Sequence, residues 1–160
     1  MICSYCKQEK NATREHIIPK SIIDLFPECD YVFDRKIDGT KMYKSESVIK
    51  DVCSDCNNGE LSKLDTYGSQ FISKYFLKEY SKNDVILIEY DYNLLCRWFL
   101  KIIFNTERAL SNITLRDTIW FDENLDYILG KKVNSKYSIS IFGGLFINTS
   151  PMPLFWAHNM

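Results

Sequence analysis

The apolar positions of this 160-residue chain alternate between the spacing of strands and the wider spacing of helices. β-rich apolar runs bounded by proline, glycine or aspartate are typical of strands, and apolar residues three and four apart are typical of one helix face. Strands are predicted over residues 13–19 and 47–52, and a pair of strands over 137–147 around Gly143-Gly144. A hairpin is predicted over 31–43 around Asp38-Gly39, and residues 84–90 form a β-rich run. Helices are predicted over 57–79, 92–110 and 117–129. The pattern predicts an α+β fold.

Four of the six cysteines form two C-x-x-C pairs, Cys3/Cys6 and Cys53/Cys56. Two residues between thiols let both sulfurs face one point, and two such turns form a tetrahedral site of the kind that holds structural Zn²⁺. Disulfides and a redox dithiol are the alternatives. A cytosolic setting disfavours disulfides. A redox dithiol usually opens a helix in a βαβ pattern, which this sequence lacks. Cys29 and Cys96 are interpreted as small buried apolar residues.

The segment between the two cysteine pairs contains Glu15-His16. Because 46 residues separate Cys6 from Cys53, a zinc ion would clamp the two ends of a long insertion. An imidazole titrates near neutral pH, at about 6.5, and therefore suits general-base catalysis. The chain has one other histidine, His158, close to the last residue. A lone Glu-His pair is often purely structural, but its position between two zinc knuckles favours a catalytic interpretation.

The composition and net charge of the chain limit the functions that it could have. The 20 basic and 21 acidic residues give a net charge of −1, so no strongly basic arm is available for nucleic-acid binding, and such binding would use a local groove, a metal or a partner. No apolar run reaches the length of a membrane span, and the first residues lack a signal-peptide pattern. These features predict a cytoplasmic protein without a membrane partner.

The succession C-x-x-C, Glu15-His16-Ile17-Ile18-Pro19 and C-x-x-C-Asn57-Asn58-Gly59 resembles the HNH endonucleases over about residues 1–66. It is most similar to the branch whose ββα-metal core, also called the His-Me finger, is braced by four cysteines. The run Leu95–Lys101 followed by Glu107 also resembles a Trp-x-x-Lys helix of uncharacterised HNH proteins. The resemblance implies an HNH domain over residues 1–80, followed by a mixed helical and strand lobe over residues 81–160 that packs on it.

The resemblance also implies a mechanism for DNA hydrolysis. His16 would be the general base that activates water, and Glu15 and Asn57 would bind a divalent metal that stabilises the leaving 3′ oxygen. Carboxylate and amide oxygens suit Mg²⁺ or Mn²⁺ better than zinc, which would only brace the frame. From the residues alone, Asn57 is equally a helix N-cap. Asp65, eight residues further on, is interpreted as solvated or salt-bridged rather than as a ligand.

One departure from the family pattern keeps two hypotheses open. Many members carry a middle asparagine that orients the base, and this chain has Val48 there, so another group would have to orient His16. The first hypothesis is a metal-dependent DNA endonuclease, in a setting such as phage defence or restriction. The alternative is a non-catalytic zinc module with a degenerate nuclease core that binds nucleic acid or protein. A protein partner supplying specificity and a homodimer stay open under both.

Overall fold

A computed structural model describes residues 1–26, 32–36, 39–43, 48–110 and 114–143 of the chain. The strands are β1 (Ala12–His16), β2 (Val32–Lys36), β3 (Gly39–Tyr43) and β4 (Val48–Cys53). The helices are α1 (Lys20–Ile23), α2 (Ser54–Cys56), α3 (Ser62–Tyr75), α4 (Tyr92–Leu110) and α5 (Leu115–Ile128), with one π-helical turn, Asn57–Leu61, between α2 and α3. The predicted α+β fold is confirmed at this level, whereas the finer ββα-metal assignment stays a prediction.

The strands form two separate antiparallel pairs, β1 with β4 and β2 with β3. In the first pair Ala12 lies opposite Cys53 and His16 lies opposite Val48, and the register shifts once between Thr13 and Glu15. Such a bulge twists and bends a strand pair locally. The β2–β3 pair confirms the predicted hairpin, in which Lys36 lies opposite Gly39.

The helical run after β4 begins earlier than predicted. Cys53 has an extended backbone and directly precedes α2, whereas Asn57 is already helical at φ −61° and ψ −56°. The N-cap alternative for Asn57 is therefore wrong, because the second C-x-x-C pair forms the first helical turn. Gly59 departs from helical geometry at φ −93° and ψ −111°, which bends the run before α3. The run ends at Tyr75 rather than near residue 79.

Helix α4 packs against α3, α5 and β4, and it coincides with the predicted helix over residues 92–110. Its Trp98 is buried against Gly68 of α3, where an added Cβ would meet the indole ring at 2.1 Å. Helix α5 begins at a capping box made by Thr114 and Asp117 and is followed by Gly130 at φ +69°, the left-handed end that glycine permits. The buried apolar residues form one cluster, whose members range along the chain from Cys3 to Leu129.

The remaining predictions have mixed outcomes. Cys96 is buried, as predicted. The first strand predicted within 137–147 is wrong: residues 137–143 form no strand in the described part of the chain, and the predicted partner strand lies outside it. Cys29 and His158 also lie outside the described residues. The β-rich run over 84–90 joins no described sheet. The Tyr75 hydroxyl of α3 binds both the N–H and the C=O of Glu89 within this run. The boundary at residue 80 stays a prediction.

Candidate functional site

The four paired cysteines converge on one point. The Sγ atoms of Cys3, Cys6, Cys53 and Cys56 all lie within 4.8 Å of one another, and Cys6 Sγ is 3.8 Å from Cys53 Sγ. Zn–S bonds of about 2.3 Å in a tetrahedron place sulfurs about 3.8 Å apart, so the cluster has the dimensions of a zinc site. The four cysteines could hold a zinc ion, as the spacing predicted. It is the one such cluster of cysteine, histidine and acidic groups among the residues that the structure describes.

Backbone N–H groups around the cluster favour the thiolate form of Cys3. Burial raises the pKa of the Cys3 thiol, but backbone N–H groups of Cys6, Cys53 and Tyr5 outweigh it and lower that pKa to about 7. The Cys53 N–H lies 3.4 Å from Cys3 Sγ. Burial and the neighbouring sulfurs instead raise the pKa of Cys56, because several thiolates without a cation repel one another. A bound zinc ion would remove this repulsion, so the donor set fits the metal.

Strand β1 presents Glu15 and His16 in different surroundings. Glu15 is 3% exposed, whereas His16 is only partly buried. Successive strand residues point to opposite faces, which explains how neighbours in sequence can differ in this way. His16 lies opposite Val48 in the ladder, so the side chain at the family's middle-asparagine position is apolar and next to the predicted base.

Glu15 is bound by a lysine that lies far away in sequence. Lys101 Nζ of α4 is 2.7 Å from Glu15 Oε1, and it also lies 2.6 Å and 2.5 Å from the two carboxylate oxygens of Asp65 on α3. The Lys101 side chain is fully buried and that of Asp65 is 22% exposed. Burial raises the pKa of Asp65; the ammonium of Lys101 lowers it again in part, and the charges of Glu15 and His16 act on the same carboxyl. Asp65 is therefore salt-bridged, as predicted.

Asn105 connects this ion-pair cluster to the zinc knuckle. Its Nδ2 donates to Glu15 Oε1 at 3.1 Å and to the His16 carbonyl at 3.2 Å, and its Oδ1 accepts from the Tyr5 hydroxyl at 2.6 Å and from Arg108 at 3.0 Å. All four hydrogen-bonding positions of this fully buried amide are thus used. Tyr5 belongs to the first knuckle, so helix α4 links the cysteine cluster directly to the strand that bears His16.

Asn57 reaches the same strand from the helical side. Its Nδ2 donates to Thr13 Oγ1 and to the Arg14 carbonyl, both at 2.9 Å. Glu15 and His16 therefore lie next to each other on β1, and Asn57, on the helical run after β4, is bonded to the residue just before Glu15. Its role as a metal ligand stays a prediction, because the bonds present here are made by its nitrogen.

The carboxylate of Glu15 does not have the surroundings of an open metal ligand. One oxygen already accepts from Lys101 and from Asn105, and the side chain is nearly inaccessible. Mg²⁺ needs several oxygen ligands at about 2.0–2.1 Å and usually keeps several waters. The arrangement gives no support for Mg²⁺ or Mn²⁺ at Glu15 and Asn57, in contrast to the zinc cluster.

Sequence reasoning found Glu15, His16 and Asn57 but missed the network around them. Lys101 was noticed only as part of a resemblance, and Tyr5 and Asn105 were not singled out. The available signal was a polar triplet at i, i+4 and i+7 of the predicted helix over 92–110, formed by Lys101, Asn105 and Arg108.

Comparison of the chain with protein-family models, with curated proteins and with solved structures finds no match. Among the described helices, none has both the length and the apolar character that crossing a membrane requires.

Proposed function

We propose that this chain is an HNH-type endonuclease that hydrolyses DNA phosphodiester bonds, with His16 as the general base. The single observation that carries the proposal is the placement of His16: partly exposed, on a strand anchored by the cysteine cluster through Tyr5 and Asn105. A general base must be accessible to water and held in a fixed position. The partial exposure of His16 supports the first condition, and the bond from Asn105 to the His16 carbonyl supports the second.

In the proposed reaction His16 takes a proton from a water molecule as that water attacks the phosphorus. The water oxygen forms the new P–O bond, the bond to the 3′ oxygen breaks, and that oxygen leaves as an alkoxide that takes a proton from solvent. Asn57 fixes the backbone of β1 immediately before Glu15-His16 by bonding the Arg14 carbonyl, so it positions the base. The zinc-binding cysteines hold the two ends of the insertion together and take no part in the chemistry.

Dependence on Mg²⁺ or Mn²⁺ is a separate prediction within this proposal. It comes from the resemblance alone, since Lys101 and Asn105 already bind the Glu15 carboxylate. DNA as substrate and a homodimer likewise rest on the resemblance. A protein partner is proposed because the net charge of −1 leaves no strongly basic arm for DNA binding.

A supercoiled-plasmid assay tests the proposal. Zinc-loaded wild type is expected to nick or linearise the plasmid, and His16→Ala, purified in the same way, is expected to lose about 10²–10⁴-fold in rate while keeping its fold. The matched control is Lys63→Met, which removes an exposed lysine paired with Glu60 and contacts neither His16 nor Asn57 through that pair. Equal cutting by wild type and His16→Ala would refute the role of His16.

The alternative, a non-catalytic zinc module, is favoured by one observation: the buried, charge-paired state of Glu15. It predicts that wild type does not cut at any tested metal concentration but retards DNA or a protein partner in a zinc-dependent manner. A catalytically competent wild type would exclude it.

A further inference from the structure

The Glu15–Lys101–Asp65 cluster contains a cation, the Lys101 ammonium, in direct contact with Glu15, one of the two predicted metal ligands. The Lys101 ammonium has three N–H donors, and three carboxylate oxygens lie 2.5–2.7 Å from its nitrogen. Each donor therefore has a carboxylate acceptor. The side chain is fully buried, so water cannot replace these contacts.

We propose that Lys101 is the resident cation of this site and that no divalent metal binds Glu15 in the native chain. This inference deepens the proposed nuclease function and rests on it for its catalytic meaning. Lys101 touches neither solvent nor a substrate surface, so it is a positioning residue: it holds Glu15 of β1 and Asp65 of α3 to α4, next to His16.

Charge balance supports this assignment. The two carboxylates of Glu15 and Asp65 carry a charge of −2, and the Lys101 ammonium reduces the charge of the cluster to −1. A divalent ion at the same oxygens would lie within a few ångströms of the ammonium, and like charges at that separation repel strongly where water is excluded. The ion would therefore have to displace an ammonium whose side chain is fully buried.

The hydrogen-bond network makes such displacement harder. Asn105 holds Glu15 from the second side, and its own orientation is set by Tyr5 and Arg108. Arg108 in turn is fixed by Asp51 at 2.8 Å and stacks over the Phe104 ring at 3.9 Å. Movement of Lys101 would disturb a network in which each amide position is already used.

Manganese binding tests the inference without relying on catalysis. The probe is Mn²⁺, titrated into the zinc-loaded chain and followed by electron paramagnetic resonance, which distinguishes free from bound ion. Wild type is expected to have no Glu15-dependent Mn²⁺ site, so wild type and Glu15→Gln should bind the same amount of Mn²⁺. Lys101→Met keeps the length of the side chain but not its charge, and it should bind one Mn²⁺ per chain with an affinity at least about tenfold above that of wild type.

The matched control is Lys63→Met, which removes an exposed lysine paired with Glu60 on the adjacent helical run. It should leave Mn²⁺ binding unchanged. Adding Glu15→Gln to Lys101→Met should abolish the new site. A folded Lys101→Met chain that binds no Mn²⁺ would contradict the inference, and so would a stoichiometric, Glu15-dependent site in wild type.

The wild-type titration remains decisive if Lys101→Met does not fold, because it needs only the native protein and Glu15→Gln. The outcomes also separate the two proposals. If Mn²⁺ binding behaves as expected but no chain cuts DNA, the resident-cation inference stands and the nuclease proposal fails. If wild type cuts DNA through a Glu15-bound metal, the nuclease proposal stands and the resident-cation inference fails.

Discussion

Replacing Gly68 with alanine should destabilise the chain, although alanine is normally the better helix residue. Gly68 lies inside α3, where the Gly→Ala change alone would stabilise by about 0.5–1 kcal/mol. The added Cβ, however, would lie 2.1 Å from Trp98 Cε2 and 2.5 Å from two further indole atoms. Carbon atoms in contact lie about 3.5–4.0 Å apart, so the helices or the ring must move by more than an ångström.

Trp98 has little room to move because it is only 3% exposed and is packed in the core. Overpacking of this kind costs about 1–3 kcal/mol, occasionally more, which exceeds the gain in helix propensity. The net expectation is a loss of roughly 1–2 kcal/mol, and at about 2–4 °C per kcal/mol for a chain of this size the melting temperature should fall by about 2–8 °C.

Thermal unfolding followed by circular dichroism measures this effect in zinc-loaded protein. Gly143→Ala is the matched control, because a Cβ there meets nothing within 4 Å. Gly68→Ala/Trp98→Leu, which removes the ring that the methyl group would strike, should be less destabilised than the sum of its two single variants. If Gly68→Ala were as stable as wild type or more stable, the close packing of α3 on α4 described here would be refuted.

Further predictions concern the metal site, the buried ion pair and pH. Cys53→Ser should lose the zinc ion and unfold the chain, since a structural site contributes its binding energy to folding; a folded variant with one zinc per chain by atomic absorption would contradict this. Lys101→Met should lower the free energy of unfolding in urea by about 3–5 kcal/mol, because it leaves buried carboxylates without a counter-charge. Adding Glu15→Gln should recover part of the loss. Equal stability of wild type and Lys101→Met would refute a buried ion pair. Burial opposes ionisation of Glu60, but Arg97 and Lys63 lower the pKa of its carboxyl below the ordinary 4.5. The stability that ionised Glu60 contributes is therefore present above pH 4.5 and is lost as the pH falls through the lowered pKa. Glu60→Gln should flatten this part of the stability–pH curve, and an unchanged slope would count against the Glu60–Arg97 pair.

The parts of the site that were predictable from sequence depend on local spacing. Two residues between cysteines suffice to indicate a shared metal, and both pairs do converge in the structure. The strand before Pro19 and the helices over 92–110 and 117–129 were likewise visible, because amphipathic periodicity and end signals lie within each segment.

The parts that were not predictable depend on contacts between distant segments. Asn105 and Glu15 are 90 residues apart, and nothing in either neighbourhood indicates that they meet. The environment of Glu15 is set by helix α4, so the sequence motif alone predicted an open metal ligand where the structure has an ion pair. Asn57 was a natural N-cap by residue type, but the geometry of the second cysteine pair begins the helical run at Ser54 instead.

Chemical rescue of the general base tests the central claim most directly. His16→Gly removes the imidazole and leaves a space beside β1, and cleavage of a defined DNA duplex can then be measured with and without added imidazole. The account predicts that the variant is inactive, that imidazole restores part of the wild-type rate, and that Lys63→Met shows neither loss nor rescue. Undiminished cleavage by His16→Gly, or a wild type that cuts no DNA, would contradict the claim that His16 is the base of a nuclease.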